Sequence, residues 1–334
     1  MLSPKDNFLE TIRSDGKPDR LVNQYEPIAM VLPDPILIHT RGGVARGKTF
    51  IDPWGVTLVW PEDQPASAPF HTEENRVIKD IVNWRNELRI PDSPAVSVGW
   101  DETAERVAKI DRSRYLATVL MPTGIFERTH FLMGFEAALT DMLLEPEAYA
   151  DLCDAILETR IRIAEILIDK LKPDAVLSHD DWGMKTSLFM SPDAWREFFK
   201  PRYKKLYDYI HSRDVLVIHH ADSFLEPIVP DMAEIGIDVW QGALPQNDIA
   251  RLQKELDGRM ALMGGLDSAY LDRPDSTEEE IRIEARRACE SYGPGGHFIP
   301  STTYGVPGDT IYPHIDQIVS DEIERYNKEV FHIS

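Results

Sequence analysis

From residue 115 onwards, this 334-residue chain alternates short apolar, β-branched segments with longer segments of helical periodicity. Antiparallel strands need only a tight turn between them, whereas strands joined by helices of ten or more residues lie parallel. The number of strand–helix units favours a parallel sheet that closes into a barrel. We therefore predict an α/β fold, a single (β/α)8 TIM barrel that occupies residues 1–334 as one domain.

The alternation defines the predicted elements of the barrel. Strands are predicted at residues 115–121, 175–179, 215–219, 237–241, 260–263 and 297–300. Helices are predicted at residues 101–111, 126–143, 147–171, 192–212, 224–234, 249–256, 277–291 and 312–328. Because parallel strands all end at the same edge, the residues that follow them should converge on one face.

The first hundred residues add an N-terminal helix, a first strand and an excursion. Ser3-Pro4 is typical of a helix start, and we place the first barrel strand at residues 21–25, ending at Glu26-Pro27. Asp52-Pro-Trp-Gly55 lies between β-branched and aromatic residues and predicts the turn of a β-hairpin. Residues 61–98 are rich in Pro, Asp, Glu and Asn and predict an excursion with one short helix.

Charge and composition narrow the classes of partner and compartment. The 57 acidic and 36 basic residues give a net charge of −21, which argues against nucleic acid or an anionic membrane as partner. No run of 18 apolar residues and no signal-peptide core occur, so we expect a cytoplasmic protein. Cys153 and Cys289 form no CxxC pair, so neither a disulfide framework nor a thiolate zinc site is expected.

Two predicted strands end in clusters of histidine and aspartate, His179-Asp-Asp181 and His220-Ala-Asp222. Residues two apart on an extended strand face the same side, so His220 and Asp222 can act together. Imidazole and carboxylate are good zinc ligands, and His179 or Asp181 could complete a set of three. Asp180 or Asp181 could instead cap the next helix, and strand alternation turns His219 away from its neighbour.

The convergence rule selects the remaining site candidates. The polar residues that follow predicted strands are Glu26, Thr123, His179, Asp180, Asp181, His220, Asp222, Gln241, Asp267, Ser301, Thr302, Thr303 and Tyr304. No GxGxxG, GxxxxGK[ST] or GxSxG motif accompanies them, so nucleotide binding and serine hydrolase chemistry lack support. Trp54 and Trp182 are predicted to pack in the core.

Several segments, taken in order, resemble the uroporphyrinogen decarboxylase superfamily, which includes cobalamin-dependent methyltransferases. They are Lys17-Pro-Asp-Arg20, Asp52-Pro-Trp-Gly55, Asp180-Asp-Trp-Gly183, Val217-Ile-His-His-Ala-Asp-Ser223, Gly264-Gly-Leu-Asp267 and Gly295-Gly-His-Phe-Ile299. The resemblance runs nearly end to end and implies a (β/α)8 barrel. Within the superfamily, the chain most resembles the methyltransferases of the O-demethylase type.

The resemblance also implies a zinc site. Coenzyme M methyltransferases of this superfamily bind zinc with His-x-Cys and a later Cys. In this chain His220 occupies the position of the histidine in that motif. Asp222 occupies the position of the first cysteine, and Tyr304 lies near the position of the second. Because a His/Asp set is harder than a thiolate set, it suits polarising an ether oxygen rather than binding a thiol. We expect zinc on His220, Asp222 and His179.

The remaining roles fall to other polar residues at the predicted strand ends. Asp181, Tyr304 and Asp267 are expected to be catalytic, and Glu26, Thr123, Gln241 and Thr303 to bind substrate. The chain has no D-x-H-x-x-G cobalamin motif, so the cobalamin would come from a partner corrinoid protein.

The expected reaction is transfer of a methyl group from a small methoxylated or methylated molecule to cob(I)alamin. A metal-free decarboxylase and a non-catalytic small-molecule or corrinoid-binding protein are the alternatives. Uroporphyrinogen decarboxylases bind an octa-acid with an arginine-rich segment, where this chain has Tyr25-Glu-Pro27. The methyl donor and the oligomeric state, including a homo-oligomer, stay open.

Overall fold

In the computed structural model, which describes residues 1–41, 45–64, 66–92 and 97–332, ten strands form two sheets. The strands are β1 (Ile28–Met30), β2 (Lys48–Ile51), β3 (Thr57–Trp60), β4 (Ala68–Pro69), β5 (Leu116–Met121), β6 (Ala175–His179), β7 (Leu216–His220), β8 (Val239–Ala243), β9 (Ala261–Gly265) and β10 (Phe298–Ser301). The large sheet has the order β1-β5-β6-β7-β8-β9-β10, and every described pair in it is parallel.

Helices separate the strands of the large sheet from β5 onwards. The helices are α1 (Pro4–Ile12), α2 (Pro35–Arg41), α3 (Trp84–Glu87), α4 (Trp100–Ala108), α5 (Ile125–Met133), α6 (Phe135–Leu144), α7 (Pro146–Leu171), α8 (Pro192–Phe198), α9 (Lys200–His211), α10 (Val229–Glu234), α11 (Ile249–Leu256), α12 (Ser268–Leu271), α13 (Glu278–Tyr292) and α14 (His314–Phe331). Among the described residues, no helix has both the length and the apolar character that crossing a bilayer requires.

The large sheet curls around one apolar cluster. Side chains from all seven strands meet in it, including Ile28 of β1, Ile218 of β7 and Ile299 of β10. Strands at opposite edges of a flat sheet could not share such a cluster, whereas the interior of a barrel is filled in this way. The predicted α/β class and TIM-barrel fold are therefore confirmed.

The first strand was predicted at the wrong place. Residues 21–25 are not a strand; β1 begins after Pro27, at Ile28. Gln24 has φ 50°, which breaks an extended backbone, and Val22 and Tyr25 pack into the barrel cluster beside Phe8 of α1. The apolar pattern of this segment therefore reflects burial at the barrel's end rather than strand pairing.

Two long predicted helices are each divided in the structure. Gly134, at φ 91°, separates α5 from α6, and Phe199 separates α8 from α9, which has Pro201 in its first turn. A glycine with positive φ ends a helix at little cost, and a proline is tolerated only at a helix start. The other predicted helices and strands lie within a few residues of their predicted ends, whereas α2, α12 and β4 were not predicted.

The predicted hairpin is confirmed: β2 and β3 pair antiparallel around the turn at Asp52. Oδ1 of Asp52 accepts the N–H groups of Trp54 and Val56, both at 2.9 Å. Oδ2 accepts Nη1 of Arg128 of α5 at 2.8 Å, and that guanidinium lies over the Trp54 ring. The excursion that follows contains β4 and the short helix α3, with residues 65 and 93–96 outside the described residues.

Asp52→Ala should destabilise the protein by about 3–5 kcal/mol, because it removes the carboxylate from a buried guanidinium. Asp52→Asn keeps one acceptor for the turn and should lose less. Urea unfolding monitored by circular dichroism measures both changes. A loss below about 0.5 kcal/mol for Asp52→Ala would show that the ion pair does not hold the hairpin.

His130 is partly buried among aromatic rings on α5 and α6. Its ring centroid lies 5.0–5.5 Å from those of Phe126, Phe131 and Phe135. Burial lowers the pKa of His130 from 6.5 to about 4, and the opposing charge of Glu127 offsets only part of this effect. The folded state therefore binds this proton less readily than the unfolded state does.

Because the folded-state pKa is depressed, His130 should cost stability as the pH falls from 6.5 towards 4. The contribution is roughly 3 kcal/mol over that window. Replacing His130 with Phe, which suits the aromatic cluster, should flatten the pH dependence of the unfolding free energy by that amount. Parallel profiles for the two proteins between pH 7 and pH 4 would contradict this assignment.

Candidate active site

A cavity of about 680 Å³ opens at the carboxyl ends of β5, β6 and β7. Its outer wall comes from the hairpin and excursion, including Trp60 and Pro69, and its sides include Leu120, Phe131 and Val306. The polar residues that line it are Thr123, Glu127, His179, Asp181, His220, Asp222, Tyr304, Asp309 and Ser67. The cavity therefore combines apolar walls with a polar floor.

His179 and His220 are neighbours because β6 and β7 pair in register. Their backbones lie opposite each other in the parallel ladder, and the rings stack with centroids 4.4 Å apart. Two imidazoles this close present their ring nitrogens to the same space. The structure thus brings together the two histidines that the sequence places at the ends of these strands.

Three side chains at the floor form a group that could hold a metal ion. One ligand atom from each of His179, Asp181 and His220 lies within 4.8 Å of the other two. The expected set contained Asp222 where this group contains Asp181. Asp222 lines the same cavity, and its backbone N–H donates to Oδ1 of Asp181 at 3.1 Å.

Hydrogen bonds behind the histidines fix their orientation. The Gln241 amide nitrogen donates to Oη of Tyr25 and to the Tyr304 carbonyl, so its Oε1 must face His220 as an acceptor. Nδ1 of His220 then carries the proton and donates to that oxygen at 2.5 Å, which leaves the Nε2 lone pair for a ligand. Oε2 of Glu127 lies 2.9 Å from Nδ1 of His179. Carboxylate and amide partners of this kind commonly orient metal-binding imidazoles.

Burial is the main influence on the protonation states of the residues at the cavity floor. It lowers the pKa of His220 to about 3, with the neighbouring His179 adding to the effect, so the imidazole is neutral near pH 7. Burial raises the pKa of Asp222 to about 6. Burial and the Asp222 charge raise the pKa of Asp181 well above its usual range. Burial alone would raise the pKa of Glu127, but His179 outweighs it and lowers that pKa.

Asp180, next to this group, has a structural role. Its carboxylate accepts the N–H groups of Phe126 and Glu127 at the start of α5, together with Trp182 Nε1 and the Tyr203 hydroxyl. A Cβ on Gly124 would lie 2.1 Å from the Asp180 side chain, so only glycine fits there. Of the two predicted alternatives, Asp180 caps a helix and Asp181 faces the cavity.

The other predicted residues divide into two groups. Thr123 and Tyr304 line the cavity, and Gln241 supports His220 from behind. Glu26, Asp267 and Thr303 are not among the lining residues.

Each of those three residues has a different partner. Glu26 precedes β1, because that strand starts later than predicted, and pairs with Arg20. Asp267 caps α12 and pairs with Lys185 at 2.6 Å, and Thr303 bonds to Ser268. The structure therefore does not bring them to the cavity with the histidines.

Two residues that contribute to the site were not predicted from the sequence. Glu127 lies in the first turn of α5, the helix that follows β5, and Tyr25 lies in the segment that was wrongly predicted to be a strand. His219, predicted to turn away from its neighbour, does not line the cavity; it is buried, stacked on Trp182 and bonded to the Tyr207 hydroxyl. The position of Glu127 in the first turn of a helix that follows a barrel strand is the sequence signal that could have identified it as a site residue.

The contrast between Asp180 and Asp181 can be tested with isosteric changes in metal-free protein. Asp180→Asn should lose about 2–3 kcal/mol, because buried donors lose a charged acceptor. Asp181→Asn should keep or gain stability, because it relieves repulsion with Asp222. Equal losses in urea unfolding would mean that both carboxylates are structural.

The family model described as uroporphyrinogen decarboxylase (URO-D) matches residues 86–322, well over half of the chain. The uroporphyrinogen decarboxylase of Chlorobium limicola is 29% identical over 198 residues, which are 56% of this chain and 52% of the relative. That of Chlorobium chlorochromatii is 31% identical over 127 residues, 37% of this chain and 33% of the relative.

These matches span about a third to a half of the curated relatives' length. The structural likeness is more complete. A methyltransferase from Methanosarcina mazei superposes with a TM-score of 0.67, covering 98% of this chain and 99% of that one, at 15% identity. At that identity the likeness speaks for the fold alone. The family match carries the classification, and the chain belongs to the uroporphyrinogen decarboxylase family.

Proposed function

We propose that the protein is a corrinoid-dependent methyltransferase, which moves a methyl group from a small methoxylated or methylated molecule to cob(I)alamin carried by a partner protein. The observation that supports this most is the group of His179, Asp181 and His220 at the floor of a cavity with apolar walls. The apolar walls suit the hydrocarbon part of the methyl donor. The polar floor suits the polarised heteroatom that carries its methyl group.

The donor set fits zinc. Two imidazoles and a carboxylate are common ligands of catalytic zinc, which keeps one position open. The hydrogen bonds from Gln241 and Glu127 provide the supporting partners that such histidines need. When bound, zinc would supply a Lewis acid that polarises the heteroatom carrying the methyl group. In this assignment Asp181 becomes the carboxylate ligand in place of Asp222.

The chain's own residues would position the donor and manage the proton. In the reaction the bond from the methyl carbon to its heteroatom breaks, a carbon–cobalt bond forms, and an oxygen leaving group takes up a proton. Asp222 lines the cavity, and its pKa of about 6 suits delivery of that proton. Tyr304 also lines the cavity, where burial, followed by Asp272, raises its pKa and keeps the hydroxyl protonated.

A polycarboxylate substrate is poorly served by this cavity. Among the described residues that line it there is neither lysine nor arginine, while Glu127, Asp181, Asp222 and Asp309 are acidic. The segment after the true first strand, Val31–Ile36, contains Asp34 and no arginine. A negatively charged cleft repels anions. Decarboxylation of an octa-acid therefore gains no support from the lining residues.

Zinc binding is the first test. Protein stripped with chelator and reloaded should bind one zinc per chain, measured by elemental analysis after gel filtration. His220→Ala and Asp181→Ala should lower the zinc content to a small fraction. Gln241→Leu should weaken affinity roughly 10–100-fold. His314→Ala, an exposed histidine on α14, is the matched control and should bind zinc normally. Zinc that survives His220→Ala would exclude this ligand set.

The second test is activity. Zinc-loaded protein, cob(I)alamin and a panel of methoxyarenes and methylamines are mixed without oxygen, and loss of the cob(I)alamin absorbance is followed. At least one donor should be demethylated, and Asp222→Asn should slow the reaction of an ether without lowering zinc content. No turnover with any donor, in the presence of normal zinc binding, would favour the binding-only alternative. Carbon dioxide release from uroporphyrinogen would favour the decarboxylase.

A further inference from the structure

The segment that follows β10, residues 304–309, forms part of the wall of the main cavity, and we call it the strap. Four of its residues line that cavity: Tyr304, Gly305, Val306 and Asp309. The strap leaves β10 at the carboxyl edge of the barrel, the edge at which His179 and His220 also lie. Gly305 is the strap residue that lies next to these two histidines.

The fold itself does not require glycine at position 305. A Cβ there would lie 3.6 Å or more from the nearest atoms beyond its chain neighbours, an ordinary van der Waals distance, and the φ of Gly305 lies outside the positive range that favours glycine. Each of the other described glycines either has a positive φ or would bring a Cβ within 3.2 Å of another atom. Backbone conformation and close packing therefore account for those glycines but not for Gly305, where alanine would fit.

The atoms around this open space belong to the two imidazoles. A Cβ at position 305 would lie 3.6 Å from Cδ2 of His179 and 3.8 Å from both Cδ2 and Nε2 of His220. Nε2 is the nitrogen of His220 that is left for a ligand, because Nδ1 donates to Gln241. A side chain at position 305 would therefore extend into the space beside the nitrogen that would hold the metal.

Hydrogen bonds fix the strap relative to that imidazole. The Gln241 side chain is fully buried, and its Nε2 donates to the Tyr304 carbonyl at 2.9 Å while its Oε1 accepts the proton of His220 Nδ1 at 2.5 Å. The Tyr25 hydroxyl donates to the same carbonyl. One amide thus holds both the ring of His220 and the residue that precedes Gly305, so the space between Gly305 and the ring is a built feature of the site.

We propose that Gly305 is a specificity-determining residue, which keeps one metal position free of protein side chains so that the methyl donor can reach it. This inference rests on the proposed function and assigns the strap a part in it. A catalytic zinc has three protein ligands and one open position, and His179, Asp181 and His220 supply three. A ligating side chain at position 305 would complete four protein ligands, the number typical of a structural zinc.

Gly305→Cys in the whole chain tests the proposal. Cobalt(II)-loaded Gly305→Cys should gain a thiolate-to-metal charge-transfer band in the near ultraviolet that the wild type lacks, because a soft sulfur joins the ligand set. Its zinc affinity, measured by competition with a chelating dye, should rise on the order of tenfold or more. Pro307→Cys is the matched control: it places a thiol two residues along the strap, at an exposed position outside the cavity lining, and should give no such band.

Imidazole is the probe of the open position. It should shift the absorbance of cobalt-loaded wild type and of Pro307→Cys, and leave that of Gly305→Cys unchanged. Gly305→Ala adds only the Cβ, so the metal-free variant should unfold in urea at the wild-type midpoint. The cobalt-loaded variant should bind imidazole roughly 5–100-fold more weakly, as expected when one methyl group overfills a space. Gly305→Ala carries the test if Gly305→Cys fails to fold.

The outcomes separate this inference from the proposed function. A wild-type protein that binds neither zinc nor cobalt would overturn both. Normal metal binding, with no thiolate band in Gly305→Cys or with unaltered imidazole affinity in Gly305→Ala, would overturn the role of Gly305 alone. A wild-type cobalt spectrum that imidazole does not shift, or a lowered urea midpoint in Gly305→Ala, would overturn that role as well, because the position would then be closed or the glycine structural.

Discussion

The parallel, in-register pairing of β6 with β7 is the constraint on which the candidate site depends. It sets His179 opposite His220 at the carboxyl edge of the barrel and stacks their rings. A shift of one residue in this register would turn one imidazole to the other face of the sheet. The apolar cluster inside the barrel opposes such a shift, because Leu177 or Ile218 would leave it together with the histidine of the shifted strand.

Much of this arrangement could be predicted from the chain, because period-two patterns and strand ends are local features. The His179 and His220 segments were identified as neighbours from strand assignments alone, and the hairpin turn at Asp52 from its turn residues. Residues 21–25 misled the prediction because burial against the barrel produces the same apolar pattern as a buried strand. The backbone angle at Gln24 and the absence of strand pairing at residues 21–25 distinguish the two in the described residues, and the sequence displays neither.

The finer division of roles among carboxylates depends on distances that no local pattern contains. Asp180 and Asp181 are adjacent in sequence, yet one caps α5 and the other faces the cavity. Asp222 was expected among the metal ligands from its spacing to His220, whereas Asp181 lies in the compact group. Glu127 reaches His179 across 52 positions of sequence, a contact that only the folded barrel creates.

Glu127 and Arg128 are consecutive residues of α5 with different partners. Glu127 contacts His179 at the bottom of the cavity, while Arg128 bonds to Asp52 in the hairpin whose strands form the outer wall. One helical turn thus joins the hairpin at the cavity's outer wall to the imidazole at its floor. A displacement of the hairpin would act on the same turn that orients His179, so the position of the wall and the orientation of the ring are linked through α5.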